Sequence, residues 1–154
     1  MHWNFHEGEL EQPDVRDLLS RHFTEMTGGS PPSACHVMTA RALNDPAIRF
    51  VTLRDGDGRL LGCGALRRLD PGHGEIKSMR TVESALGRGV GGAILDQLIL
   101  IARADGIARL SLETGNSPMF AAANRLYQRQ GFSRCGPFGD YHASSFTTFY
   151  TRAI

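Results

Sequence analysis

Asp55-Gly56-Asp57-Gly58 stands between two strand-like runs, residues 48–54 (IRFVTLR) and 59–67 (RLLGCGALR), and no other segment limits the fold as much. Asp-Gly turns between aliphatic and β-branched runs close antiparallel hairpins. An all-helical bundle is thereby excluded, and so is a sheet that is parallel throughout. Pro71-Gly72-His73-Gly74 supplies the next turn, so a third strand over about residues 74–82 returns antiparallel to the second. Within it the apolar residues Ile76, Met79 and Val82 break the two-residue strand period. One extra residue bulging from the ladder restores the phase.

The second half changes period. Residues 91–105 place Ile94, Leu95, Leu98, Ile101 and Ala102 on one helical face and stop at Gly106. Ala108, Leu110 and Leu112 then alternate with Arg109, Ser111 and Glu113, as a strand does. Ser117-Pro118 opens another helix, with Met119, Ala122, Ala123 and Leu126 read as its inward face and Gly131 as its end. Residues 132–135 and 145–152 suit two closing strands. Ahead of the hairpin, residues 3–7 suit a short first strand. Pro13 then begins a helix with Val15, Leu18, Leu19, His22 and Met26 on one face, stopped by Gly28-Gly29. A second helix runs to about Asn44, before Asp45-Pro46. The expected fold is α/β (α+β): a mixed, mostly antiparallel sheet flanked by helices, with one strand–helix–strand crossover, in a single domain over residues 1–154.

Composition narrows the partners. A chain of 154 residues, 41% hydrophobic and 21% charged, buries a real core. Its 17 basic and 16 acidic residues nearly cancel and scatter along the chain, so neither nucleic acid nor an anionic membrane is indicated as a partner. Cys35, Cys63 and Cys135 form no C-x-x-C pair, which points to neither a disulfide framework nor a zinc site, and no metal is expected. The opening MHWNFHEGEL lacks the basic-then-apolar order of a signal peptide. No apolar run nears the ~18 residues of a membrane span. A reduced, soluble, cytoplasmic protein is expected.

Leu86-Gly87-Arg88-Gly89-Val90-Gly91-Gly92 joins the third strand to the helix that follows. Its glycines free backbone N–H groups to converge where the helix dipole is positive, which suits an anion and above all a pyrophosphate. Gly87, Gly89 and Gly92 also satisfy G-x-G-x-x-G, and Glu113 lies 21 residues beyond Gly92, near the distance of a ribose-binding acid. A dinucleotide-binding domain is therefore an alternative. Context opposes it, because that fingerprint opens a series of βαβ units, whereas here it follows hairpins.

Glu75-Ile76-Lys77-Ser78-Met79-Arg80-Thr81-Val82, the glycine loop, Leu110-Ser111-Leu112-Glu113-Thr114-Gly115, Ala123-Asn124-Arg125-Leu126-Tyr127 and Gln130-Gly131-Phe132 follow one another in this order. Together they resemble the GNAT superfamily of N-acetyltransferases, in the branch of small bacterial-type proteins. The resemblance implies acetyl-CoA as cosubstrate. It implies a bulged strand, here Met79, Arg80, Thr81 and Val82, whose backbone binds the pantetheine arm. Gly87, Arg88, Gly89, Val90, Gly91 and Gly92 would hold the pyrophosphate. Two departures stand out: Leu86 replaces the usual Gln or Arg of the loop, and Phe120 stands where the fourth helix often carries Asn. Asn124 shares a helical face with Phe120 and Tyr127 and could supply the missing contact to coenzyme A; a solvent-facing Asn is the alternative.

Acyl transfer to an amine sets the chemical demand. A lysine-like amine is neutral in only about one molecule in 2,500 near neutral pH, a handicap of roughly 4–5 kcal/mol. A positioned base relieves it, and an acid protonates the leaving thiolate, each worth roughly 10²–10⁴-fold. By the resemblance, Glu75 takes the place of the base and Tyr127 that of the acid; the plain alternatives are a surface Glu beside Lys77 and a Tyr packed on the sheet. Glu113 is a second candidate base. His36 falls in the region that covers the acceptor pocket in the family. Asp140 and Tyr141 sit in a loop, Gly139-Asp140-Tyr141-His142, that resembles one in this branch and could bind a cationic acceptor. The expected activity is direct N-acetyl transfer in a ternary complex to a small-molecule, peptide or protein amine. The alternative is a non-catalytic coenzyme-A- or dinucleotide-binding sensor. Many relatives dimerise, so the resemblance also admits a homodimer.

Overall fold

The computed structural model describes residues 2–29 and 38–154. Among these residues seven strands form one sheet in the order β1-β2-β3-β4-β5-β7-β6. They are β1 (Trp3–Glu7), β2 (Ile48–Asp55), β3 (Leu60–Asp70), β4 (His73–Thr81), β5 (Arg109–Gly115), β6 (Ser133–Cys135) and β7 (Thr147–Ala153). Helices α1 (Pro13–Gly29), α2 (Ala40–Leu43), α3 (Val90–Ala104) and α4 (Ala121–Arg129) flank it. Every neighbouring pair is antiparallel except β4 and β5, which α3 connects as a parallel crossover. Among the described residues no helix is long and apolar enough to cross a membrane.

The hairpin forms for the reason its sequence gives. Asp55 Oδ1 accepts hydrogen bonds from the backbone N–H of Asp57 at 2.9 Å and of Arg59 at 3.0 Å, and Gly58 takes the left-handed conformation (φ +83°) that closes the turn. The anticipated bulge lies in β4. Cys63 faces Arg80 and Ala65 faces Lys77, so Ser78 and Met79 together oppose Gly64, and Ser78 holds a φ of +54°. Leu53, Ile76, Leu110 and Leu112 pack on one face under α3, with Tyr127 of α4 and Tyr150 in the same core. Phe50, Cys63 and Ala65 pack on the other face against Val15, Leu18 and Leu19 of α1 and Leu43 of α2. Gly62 and Gly64 let α3 lie close: a Cβ on Gly64 would come within 2.7 Å of Ile94 Cγ2, and one on Gly62 within 2.9 Å of Val90 Cγ1.

Three details differ from expectation. The second helix is only the four residues of α2, begun by Thr39, whose side chain accepts from the Ala42 N–H; most of the stretch assigned to it lies outside the described residues. The segment after Ser117 starts as a 3₁₀ turn, Pro118–Phe120, before α4 proper. Met119 and Ala122, read as inward, are exposed. Apolar periodicity marks a face that avoids water, and it does not say whether protein or ligand covers that face.

Candidate active site

β4 and β5 are paired only from His73 with Arg109 to Ile76 with Leu112. Beyond that point β4 stays with β3 as far as Thr81, while β5 stays with β7 as far as Gly115. The strands therefore part, and their facing edges carry backbone N–H and C=O groups with no strand between them. A cleft of about 660 Å³ opens at the parting, from His22 and Met26 of α1, past β4, to Met119 just before α4 and Leu126 within it. Side chains alternate across a sheet. Ile76 and Leu112 point under α3, so Glu75, Lys77 and Glu113 face the α1 side, while Tyr127 belongs to the α3 side. All four line the same cleft, which thus reaches both faces of the sheet.

The glycine loop meets this cleft at Leu86, Gly91 and Ile94. Gly87 (φ +77°) and Gly89 (φ +85°) are left-handed, and an added Cβ on either would meet nothing within 4 Å. Backbone conformation, not crowding, requires glycine there. Gly89 is the N-cap of α3 and leaves the first turn without a side-chain cap, so its N–H groups remain for a ligand. Val90 is buried and anchors the start of the helix, whereas Arg88 is exposed. The last two glycines serve packing: a Cβ on Gly91 would lie 3.0 Å from Leu126 Cδ2, and one on Gly92 3.7 Å from Gln130 Nε2. They seat the start of α3 against α4. Leu86, one of the two departures, is 63% exposed at the rim.

On β4, Met79 packs over Gly64, Arg80 pairs with Glu25 of α1, Thr81 lines the cleft, and Val82 donates its N–H to Leu61 O at 2.8 Å. Glu75 is 2% exposed, which disposes of the surface reading. Its Oε2 accepts from Lys77 Nζ at 3.2 Å and from the Tyr141 hydroxyl, while Oε1 makes no hydrogen bond among the described residues. Lys77 Nζ also donates to the Tyr141 hydroxyl at 2.7 Å. Burial and the Glu75 carboxylate push the Tyr141 pKa up, so the phenol stays protonated. Tyr141 is delivered by a tight turn in which its N–H bonds Phe138 O at 3.1 Å, around Gly139 with φ +55°. Phe138 keys this turn to the sheet through ring contacts with His73 and Phe149. Asp140, from the same loop, is exposed and does not line the cleft.

Tyr127 is buried, its ring edge-on to Phe132 at 6.1 Å, and its hydroxyl has no hydrogen-bond partner among the described residues. Burial pushes its pKa up, so it too remains a proton donor. Asn124 is fully engaged: its amide donates to Gly115 O at 3.0 Å and Phe120 O at 2.9 Å, and Oδ1 accepts from the Tyr150 hydroxyl at 2.8 Å. It ties the end of β5 to α4, and Phe120 lies so close to Gly115 that a Cβ there would come within 2.1 Å of its ring. Cys63 is buried with its thiol pKa pushed up to about 12 by desolvation, which leaves it no thiolate character. His36 lies outside the described residues. Sequence reading treated Lys77 only as a neighbour of Glu75 and His22 only as a core position; the signal for Lys77 was its two-residue spacing from Glu75 on a strand.

A sheet opened between two parallel strands, beside an uncapped glycine-rich helix start, can take an extended pantetheine arm as a surrogate strand with its pyrophosphate on the helix. That is the construction of an acyl-CoA N-acyltransferase. The sequence profile of the acetyltransferase (GNAT) family matches residues 13–132. The chain is 42% identical to the uncharacterized N-acetyltransferase YsnE of Bacillus subtilis, over 95% of its own length and 96% of that protein's. It is 39% identical to the uncharacterized N-acetyltransferase YedL of Escherichia coli, over 95% and 91% respectively. Its fold superposes on a GNAT family acetyltransferase from Elizabethkingia anophelis crystallised with acetyl-CoA bound, with a TM-score of 0.69 at 18% identity and 99% of each chain covered. The protein belongs to the GNAT acetyltransferase family and is an acetyl-CoA-dependent N-acetyltransferase.

Proposed function

We propose that the protein transfers the acetyl group of acetyl-CoA directly to a primary amine within a ternary complex, with Glu75 as general base and Tyr127 as general acid. One observation carries the reading: a buried carboxylate and a buried phenol with no hydrogen-bond partner among the described residues line a single cleft from opposite faces of the sheet. Coenzyme A lies along the parted edge of β4, at Met79, Arg80, Thr81 and Val82, with its pyrophosphate on the loop from Gly87 to Gly92. The acceptor enters from the α1 side, where His22, Met26 and Glu113 line the wall. Glu75 Oε1 takes a proton from the incoming ammonium. The neutral nitrogen attacks the thioester carbon, the N–C bond forms, the C–S bond breaks, and the thiolate collects the Tyr127 proton; the surplus proton of the acylated nitrogen then passes through water to restore Tyr127, and the proton on Glu75 leaves to solvent. The buried, protonated Cys63 thiol supports direct transfer over a covalent enzyme intermediate at that residue. Asn124 acts as a tether between β5 and α4, and Asp140 takes no part.

The test combines calorimetry with acetyl-CoA and thiol release across a panel of alkyl and aromatic amines, amino acids and peptides. Tight acetyl-CoA binding, weakened by Gly89→Val, together with acetylation of at least one amine, is the expected result. Binding without any transfer would favour a sensor. Preference for NAD would overturn the coenzyme reading altogether.

A further inference from the structure

Lys77 and Tyr141 have no step in the reaction above, yet both bond the oxygen of Glu75 that does not take the proton. We infer that they are positioning residues which fix the Glu75 carboxylate through Oε2 and so present Oε1 alone to the acceptor amine. The inference rests on the reading of Glu75 as the base.

The geometry is a closed triangle. Lys77 Nζ donates to Glu75 Oε2 at 3.2 Å and to the Tyr141 hydroxyl at 2.7 Å, and that hydroxyl donates in turn to the same Oε2. The Lys77 side chain is 9% exposed and that of Glu75 2%, so neither charge is solvated and each depends on the other. A glutamate held by nothing turns about its side-chain torsions and offers either oxygen. Two donors converging on one oxygen fix the carboxylate plane, and a base works at full effect only when it is within hydrogen-bond reach of its proton.

The three groups come from two separate parts of the chain. Glu75 and Lys77 lie on one face of β4, two residues apart, in the stretch that leads into the Ser78 bulge. Tyr141 comes from the loop between β6 and β7, 66 residues further on. Phe138 holds that loop with rings on His73 of β4 and Phe149 of β7, and its ring also meets Tyr141 edge-on at 5.1 Å. His73 is itself held by Ser111 of β5, at 2.7 Å. The loop is thus docked on the same strands that carry the base, and its hydroxyl completes the base.

A double-mutant cycle tests this. Tyr141→Phe, Lys77→Met and Lys77→Arg are made in the parent and in a Glu75→Gln background, using the whole chain. Thiol release from acetyl-CoA is followed with benzylamine and with water alone as acceptors, and acetyl-CoA affinity and thermal melting are measured alongside. Tyr141→Phe and Lys77→Met are expected to lower kcat roughly ten- to a hundredfold, as misplaced catalytic groups do, with acetyl-CoA affinity unchanged. In the Glu75→Gln background neither is expected to lower the rate further, because a residue that acts through Glu75 has nothing left to act on. Lys77→Arg should recover part of the loss, since it keeps the charge and the donors. Lys77→Met strands a buried carboxylate and is the variant at risk of misfolding; Tyr141→Phe keeps its ring contacts and then carries the test alone. Equal losses in both backgrounds would show that the pair acts on the acceptor or on folding, and unchanged rates would make it a bystander; either result overturns the inference. If Glu75→Gln alone leaves the rate intact, or the parent binds acetyl-CoA but releases thiol neither with these acceptors nor with any amine of the panel above, the base assignment fails and the inference falls with it.

Discussion

Removing the Tyr127 hydroxyl should separate stability from catalysis more cleanly than most active-site changes. Replacing a buried, hydrogen-bonded Tyr by Phe ordinarily costs about 0.5–1.5 kcal/mol, the net worth of the lost bond. Here the hydroxyl has no partner among the described residues, while the ring keeps its contacts with Phe132 at 6.1 Å and Tyr150 at 6.2 Å. Tyr127→Phe opens no cavity and strands no partner, so its melting temperature should match the parent's or exceed it slightly. The rate should behave otherwise. If the hydroxyl protonates the departing thiolate, its loss should lower kcat by roughly 10²–10⁴-fold, the usual range for a positioned acid, with acetyl-CoA affinity nearly unchanged. Because burial pushes the Tyr127 pKa up, the acid form persists well into alkaline solution, and kcat in the parent should show no fall from Tyr127 ionisation near neutral pH. Single-turnover kinetics by rapid quench, beside calorimetric unfolding, reads both halves. An unchanged single-turnover rate would refute the acid role, and a marked drop in stability would refute the reading of an unpartnered hydroxyl.

Three further outcomes follow from the geometry. Glu75→Gln should lower kcat/KM roughly 10²-fold or more near neutral pH, with the deficit shrinking as pH rises and the free amine becomes abundant; parallel pH–rate profiles for variant and parent would rule the base out. Gly89→Ala meets no steric obstacle, so its cost is the ~1–2 kcal/mol of a left-handed alanine, and Gly89→Asn should cost less by thermal melting. Arg54 bonds Glu9 at 2.9 Å and Asp14 at 2.6 Å and fastens the start of α1 to β2. The Arg54 hydrogen bond holds the Asp14 carboxyl below its ordinary range; burial pushes the Glu9 carboxyl up, but bonds from Thr52 and Arg54 outweigh it and leave it lowered too. A depressed carboxyl stabilises the fold above its unfolded value and stops doing so as pH falls through its folded value. Arg54→Met should therefore lower the melting temperature near neutral pH, and the gap from the parent should narrow in acid.

Much of this was legible because local chemistry fixed it. The Asp55–Gly58 turn could only join antiparallel strands, and the broken period of Ile76, Met79 and Val82 announced the bulge that Ser78 and Met79 make. The positive φ of Gly87 and Gly89 gives the loop the shape its spelling implied. What stayed hidden depended on register and on occupancy. That Lys77 and Tyr141 meet, 64 residues apart, follows from how a loop docks across three strands, and no local pattern encodes it. Met119 and Ala122 read as core because apolar periodicity does not say whether protein covers the face it marks. The three internal bonds of Asn124, to Gly115, Phe120 and Tyr150, depend on where β5 ends, which its helical face does not encode.

The two walls of the cleft are hydrogen-bonded to different neighbouring strands. The β4 wall is held by β3, by α3 lying against Gly62 and Gly64, and by the Arg80–Glu25 pair to α1. The β5 wall is held by seven residue pairs with β7 and by the Asn124 bonds to Gly115 and Phe120. On one face α3 spans both walls, since Ile76 of β4 and Leu110 and Leu112 of β5 share its core. Four β4–β5 pairs at the closed end, His73–Ile76 with Arg109–Leu112, and the His73–Ser111 hydrogen bond join the strands, and Glu75 sits within these pairs, where the parting begins. The carboxylate is therefore mounted on the stretch of β4 that is paired on both sides. The groups proposed to meet coenzyme A lie beyond it, on edges that β4 and β5 leave unpaired. Such a division suits a reaction in which an extended coenzyme must come and go while the base stays fixed to within a fraction of an ångström.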